Sequence, residues 1–332
     1  MIKDFDSLTI EYLEKFKARW YEVLEKKSCN QTQLVIGSRL RPQIVLWGYL
    51  AGVNWHENLN LQIPANIAVS VELLHKASLL LDDWLDDDDK RHSKNAFHTD
   101  FGEHITVMTA IKLVSESIRQ LLVSDQQDSK KLILLNYLIN TAAAMTDGVL
   151  TELELNRETM FNLDIIKHIA QMETSEIIGN SLLIGYTLNS NTNNTLASYL
   201  KKIGNLSGYL FQTLNDLESF SNVIINKNHK GLENFDFNRN RKNIVIAYMY
   251  SLLSDKLQQQ MVHADVEYVI SLYKALNIKI LILREVELVF SEIEKLIHAT
   301  VEYGAPLEWV EGYSWFLQQL KEVASKRVSW NQ

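Results

Sequence analysis

Apolar residues recur at steps of three and four, or their sum, along most of the chain. One run is Leu73, Ala77, Leu80 and Trp84; a second is Leu196, Leu200, Ile203, Leu210, Leu214 and Leu217; a third is Val269, Leu272, Leu276, Ile280, Leu283, Val286, Phe290 and Ile293. That spacing keeps one face of an α-helix continuously apolar, so each run predicts an amphipathic helix. Polar breaks separate the runs at 54–62 before Pro64, and at 124–129, 189–194, 225–239 and 304–306. None has the length or low complexity of an interdomain linker, and no segment repeats. The pattern predicts a single all-α domain over 1–332, built from roughly ten or more helices. The longest break, NKNHKGLENFDFNRNRKN, mixes cations, asparagines and glycine. It predicts a mobile loop over about 225–242, placed as a candidate lid.

Composition agrees with the helical reading: 332 residues hold 3 prolines and 12 glycines, far fewer than tight-turned β architectures spend. Lys and Arg number 33 against 41 Asp and Glu, a formal charge of −8. No chain-wide basic field exists to draw in nucleic acid or an anionic membrane, so an anionic ligand must be met by local cations or by metal. The single cysteine, Cys29, forms no intrachain disulfide, and the start MIKDFDSLTIEYLEKF carries acids where a signal peptide is basic and then apolar. A cytoplasmic protein is expected. The apolar stretch IKILILREVELVF is broken by Arg284, Glu285 and Glu287 and reads as a buried helix, so no membrane span is expected.

Two polar clusters interrupt the apolar seams. In LLHKASLLLDDWLDDDDKRHS, Asp82 and Asp86 stand four apart, which puts them one turn apart on the same helix face with Asp83 beside them. An isolated acidic run is ordinarily a solvated helix end. Here it follows directly on an apolar seam, and acids at a helix C-terminus oppose the macrodipole. Converging carboxylates are relieved by a hard cation, and oxygen ligands of this kind suit Mg²⁺. In GYLFQTLNDLESF, Asn215 and Ser219 are again four apart with Asp216 between them and Glu218 nearby. Such side chains compete with helix hydrogen bonds, a mild cost that asks for a reason. Two facing sets of oxygen ligands would clamp a diphosphate through metal.

HKASLLLDDWLD followed by KRHSKNAFH resembles the first aspartate-rich region of the trans-isoprenyl diphosphate synthases, and FQTLNDLES lies where their second such motif does. Arg39-Leu40-Arg41-Pro42 resembles their KRxRP segment, and Gly148-Val149-Leu150-Thr151-Glu152 their mid-chain acidic helix. Met172-Glu173-Thr174 resembles their KT motif, and Asp236 through Lys242 their DxxxxKK loop. The resemblance implies an all-α helical bundle with a central cavity, forming a homodimer and acting on an allylic isoprenyl diphosphate with three Mg²⁺. Position by position, it implies that Asp82, Asp83, Asp86, Asn215, Asp216 and Ser219 hold metal. It gives Arg91, Arg241, Arg41 and His75 to diphosphate, and Thr174, Gln212, Glu152, Glu173 and Phe211 to the reacting centre. Ala77 and Ser78, five and four positions before the first aspartate, would set chain length; being small, they imply a C15 or C20 substrate.

Three departures bear on the reaction. Ser38 and His92 stand where family members bind isopentenyl diphosphate with cations, and Glu173 stands where the family has lysine. Each lost charge-assisted hydrogen bond is worth roughly 1.5–3 kcal/mol. The second motif, N-D-L-E-S, is close to the NDxxSxxxE triad of class I terpene synthases, although its last acid falls on Val223. The expectation is therefore a terpene synthase on a prenyl-synthase scaffold, in which the ionised chain cyclises, rearranges or is quenched. The alternatives are an elongating prenyl diphosphate synthase, prenyl transfer to a different acceptor such as a peptide side chain, or an inactive partner subunit.

Overall fold

The computed structural model describes residues 1–24, 39–55, 59–91, 94–225 and 235–329. Cys29, Ser38, His92 and residues 226–234 of the expected loop lie outside the described residues. Among those described, the fold is all-α, as the periodicity predicts; the only strands are the two-residue pair Lys90–Arg91 (β1) and Lys94–Asn95 (β2). The chain falls into two compact units, Met1–Ala142 with Asn180–Ala197 and Ala143–Gly179 with Ser198–Gln332.

The first unit is built from α1 (Ile2–Leu24), α2 (Leu40–Leu50), α3 (Gln62–Leu85), α4 (Phe97–Phe101), α5 (Glu103–Leu122), the start of α6 (Asp128–Leu153) and the end of α8 (Glu176–Thr187). The seam on α3 buries Val69, Leu73, Ala77 and Leu80 in one cluster with Leu13, Phe97, Ala110 and Leu113 from α1, α4 and α5. α2 and α8 touch backbone to backbone: a Cβ on Gly48 would meet the carbonyl of Leu182, and one on Gly185 that of Val45. Only glycine permits that approach. α6 differs from its neighbours: by length and composition alone it could cross a membrane, and it leaves Leu132, Ile133, Ile139, Leu150 and Leu153 exposed.

The second unit contains the rest of α6, α7 (Leu163–Ala170), a π-helical turn at Gln171–Ser175, the start of α8 and α9 (Asn194–Ile225) from Ser198 onward. It continues through α10 (Ile244–Ser251), α11 (Asp255–Val262), α12 (Val266–Ala275), α13 (Ile278–Ala299) and α14 (Leu307–Ser329). Caps place the two helices nearest the chemistry: Asn162 accepts from the amides of Asp164 and Ile165 at the start of α7, and Asn243 accepts from Ile246 at the start of α10. Residues 235–241 depart from the expected mobile loop. They form a compact turn whose Phe235 and Phe237 are fully buried, Phe235 packing edge-on to Phe220 at 4.9 Å. Two aromatic side chains inside an asparagine-rich stretch outweigh its polar composition.

Candidate active site

The acidic end of α3 is shaped by its last turn. The amide of Asp86 bonds to the carbonyl of Asp82 at 2.8 Å, so the two acids keep the one-turn spacing that the sequence predicts. Asp87 then takes a left-handed conformation (φ 52°) and the amide of Asp88 returns to the carbonyl of Asp83 at 2.9 Å. This C-terminal turn usually takes glycine. The β1–β2 hairpin folds back and brings Arg91 onto the acids. Its Nε donates to both oxygens of Asp83, at 2.6 and 2.8 Å, and its Nη2 reaches Asp82 Oδ2 at 3.1 Å. Asp83, expected as a metal ligand, is thus buried with both oxygens on Arg91. Burial pushes its carboxyl above the ordinary value and Arg91 works against that push. Asp82 is different: 53 % of its side chain faces solvent.

One face of α3 further back carries Glu72, His75 and Lys76, opposite Arg41 of α2. Lys76 Nζ stands 3.4 Å from Glu72 Oε1, and both side chains are buried. Burial lowers Arg41 to a pKa of about 10, with Glu72 opposing the shift and Arg91 adding to it. His75 falls well below its usual pKa through burial and the nearby cations Arg41, Lys76 and Arg91, which keeps its imidazole neutral at pH 7. The chain-length pair sits on the same helix. Ala77 is buried in the α1–α3–α4–α5 cluster that also contains Phe97 and Leu113. Ser78 spends its hydroxyl on the carbonyl of His75 at 2.8 Å.

The second unit joins most of the remaining predicted residues into one buried network. Thr174, on the π-helical turn, donates to Gln212 Oε1 at 2.9 Å; Gln212 Nε2 donates to Asp216 Oδ1 at 2.8 Å; and Asp216 Oδ2 accepts the amide of Ile244 at 2.7 Å. π-Helical turns of this sort are frequent at functional sites. Asp236 Oδ2 accepts from Asn243 Nδ2 at 2.6 Å and from Ser219 Oγ at 3.4 Å. Burial first, and the charge of Asp236 second, push Asp216 up to about 8; burial likewise raises Asp236. Asn215 is exposed on α9, and Phe211 is half-buried one residue before Gln212.

Glu173 is answered by a cation from elsewhere in the chain. Lys242 Nζ pairs with Glu173 and donates to Glu152 Oε2 at 3.0 Å, while the Lys242 amide donates to Glu152 Oε1 at 2.9 Å. Burial alone would raise Glu152, but Lys242 overcomes it and holds the carboxyl below its ordinary value. The sequence singled out Asp236 and Lys242 only as the ends of a motif; their contacts with Ser219, Glu152 and Glu173 carry no local signal. Arg241 bonds through its amide to the carbonyl of Asp236 at 2.9 Å.

The donor chemistry fits Mg²⁺. Among the described residues no three His, Cys, Asp or Glu side chains form a metal cage. Mg²⁺ needs none, because it keeps several waters and is held by one or two carboxylates together with substrate phosphates. Asp82 offers hard oxygens to solvent, and buried Asp216 and half-buried Asp236 are two carboxylates whose mutual repulsion a divalent cation would relieve.

The sequence profile of the polyprenyl synthetases matches residues 24–274. The chain belongs to the polyprenyl synthetase family. Among its relatives, a geranylgeranyl diphosphate synthase of Methanosarcina mazei is 26% identical over 181 residues, 54% of this chain and 54% of that protein. A farnesyl diphosphate synthase of Micrococcus luteus is 28% identical over 197 residues, 56% of this chain and 65% of the relative. The chain thus spans between about half and two thirds of these relatives' length. The fold of this polyprenyl synthetase family member is that of a geranylgeranyl pyrophosphate synthase from Lactobacillus brevis, with a TM-score of 0.75, 17% identity, and 94% and 95% of the two chains covered. A geranylgeranyl pyrophosphate synthetase from Pyrococcus horikoshii gives a TM-score of 0.69 at 18% identity over 98% and 99%.

These likenesses overturn the expected terpene synthase. Both relatives are named as diphosphate synthases, and the profile runs through most of the chain, whereas the terpene-synthase likeness rests on five residues, Asn215 to Ser219. The structure adds a physical reason. Glu173 was read as a lost cation, yet Lys242 brings an ammonium to that position.

Proposed function

We propose that this polyprenyl synthetase family member is an elongating prenyl diphosphate synthase. It would join an allylic isoprenyl diphosphate to isopentenyl diphosphate and release inorganic diphosphate. The observation that carries the reading is the profile match over residues 24–274 to a family whose relatives are prenyl diphosphate synthases. In this reading the allylic C1–O bond breaks, its electron pair leaves with the diphosphate, the isopentenyl double bond attacks C1, and the cation left on the isopentenyl unit loses a proton from its C2 to the released diphosphate, restoring a double bond. In the first unit Mg²⁺ would be held through Asp82 and Asp86, where it would neutralise charge as it builds on the leaving group. Arg91, oriented by Asp83, would add guanidinium donors to that charge, and in the second unit Arg241 offers a guanidinium to a diphosphate. Thr174 and Gln212, tied in series to Asp216, would present fixed dipoles to the reacting carbon. Arg41 and neutral His75 would receive the second diphosphate.

We also propose a single catalytic domain in the cytoplasm that pairs with a second copy of itself. The support is the exposed apolar side chains Leu132, Ile133 and Ile139 on α6 and Met108 and Ile111 on α5. Light scattering should find twice the monomer mass.

The test is diphosphate release from C10, C15 and C20 allylic diphosphates with Mg²⁺. Release should require isopentenyl diphosphate, and equal release without it would overturn elongation. A second reading, prenyl transfer to another acceptor, is favoured by one observation, the absence of cations at Ser38 and His92. It would show as no release in either arm until a peptide or other nucleophile is supplied.

A further inference from the structure

Outside the network described above, Arg157, in the segment between α6 and α7, is a cation with four oxygen hydrogen-bond partners among the described residues of the second unit. Its Nη1 donates to the carbonyl of Phe237 and reaches Asn240 Oδ1 at 3.4 Å. Nε donates to the carbonyl of Val262 at 3.3 Å and Nη2 to that of Ala264 at 3.2 Å. The guanidinium carbon also lies 3.7 Å from the centre of the Phe237 ring. The planar fork of arginine is spread over two separate stretches of chain, the 235–241 turn and the end of α11, which lysine's point charge cannot match. Arg157, Val262 and Ala264 belong to no motif singled out in the sequence, and Phe237 and Asn240 are interior positions of the Asp236–Lys242 motif.

The place of this clamp is what gives it a role. Phe237 and Asn240 lie between Asp236 and the Arg241-Lys242 pair. Asn240 adopts a left-handed conformation (φ 53°), and the turn closes with the Arg241 amide on the Asp236 carbonyl. On one side the turn is held by Lys242 on Glu152 and Glu173; on the other it is held by Arg157. We infer that Arg157 is a positioning residue: by fixing Phe237 and Asn240 it sets where Arg241 presents its charge to the allylic diphosphate. The inference rests on the proposed use of such a substrate, and one of its readouts does not.

The experiment is a double-mutant cycle of Arg157→Lys with Arg241→Ala, reading KM for the allylic diphosphate. Arg157→Lys alone should raise that KM at least tenfold while the KM for isopentenyl diphosphate changes less than twofold. In the Arg241→Ala background the same change should raise it less than twofold further, because the residue it serves is gone. Equal losses in both backgrounds would mean that Arg157 only stabilises the fold. Hydrogen exchange supplies a readout free of activity: in Arg157→Lys the amides of Arg241 and Lys242 should exchange at least tenfold faster, with that of Ile166 unchanged. That result in a protein that consumes no allylic diphosphate would overturn the proposed function and leave the anchor standing. Should Arg157→Lys not fold, Asn240→Gly removes one Arg157 contact and keeps the left-handed turn accessible. It should speed exchange at Arg241 about threefold, and no change there would overturn the inference.

Discussion

The acidic end of α3 and the polar stretch of α9 look alike as sequence, each with oxygen side chains four residues apart on an apolar helix. They are physically different. On α3 the acids sit at a helix end, Asp82 faces water, and the nearest cation is nine residues away in a local hairpin. On α9 the acid is Asp216, buried, with both oxygens bonded inside the protein and its charge opposed by Asp236. The first cluster leaves Asp82 open to solvent beside its Arg91 partner. The second is held by its own network and is stabilised by whatever neutralises it.

The largest effect that would break this contrast is on turnover. Asp82→Ala should lower kcat about a thousandfold, the scale seen for loss of one group that stabilises transition-state charge, with no loss of melting temperature. The ion pair of Asp82 with Arg91 is half-exposed, and such a pair contributes little folding energy. Steady-state kinetics with a thermal melt on the same preparation checks both halves.

Next is Lys242→Met, in the buried region. It would leave Glu152 and Glu173 facing each other without a cation, and breaking a buried pair in this way is worth about 3–5 kcal/mol. Urea unfolding at pH 7 should show the loss, and it should shrink as the pH falls and the two carboxyls become protonated.

The acids themselves give a smaller effect of opposite sign. Asp216 has a folded-state pKa raised to about 8, so the folded protein prefers it neutral. The stability it contributes is complete below the ordinary carboxylate range near pH 4 and is lost as pH rises through 8. In Mg²⁺-free buffer, Asp216→Asn should therefore raise the melting temperature at pH 8 by a few degrees and leave it unchanged at pH 4, while activity falls. A group kept for function at the expense of stability behaves this way.

How much of this was legible follows the same divide. The helices, the α3 seam and the Asp82–Asp86 spacing depend on residues within a turn or two of one another, and periodicity reports such relations directly. Asp236, Ile244 and Lys242 meet Ser219, Asp216, Glu152 and Glu173 across separations of up to 90 residues, which no local pattern encodes. The same blindness explains Glu173, read as a missing cation when its partner lay far along the chain. It also applies to Ala77: a small residue predicts space, but its burial in one cluster with residues of α1, α4 and α5 is not encoded locally. Ala77→Phe should accordingly destabilise the fold by about 1–3 kcal/mol through overpacking, the smallest of these effects, rather than only shorten the product.

Elongation is tested most directly by following the label. Enzyme with Mg²⁺, a C15 allylic diphosphate and isotopically labelled isopentenyl diphosphate should yield a labelled prenyl diphosphate five or more carbons longer, recovered in the polar fraction and released as the alcohol by phosphatase. Label remaining entirely in isopentenyl diphosphate, with the allylic substrate converted to hydrocarbon or to unlabelled alcohol, would contradict the account.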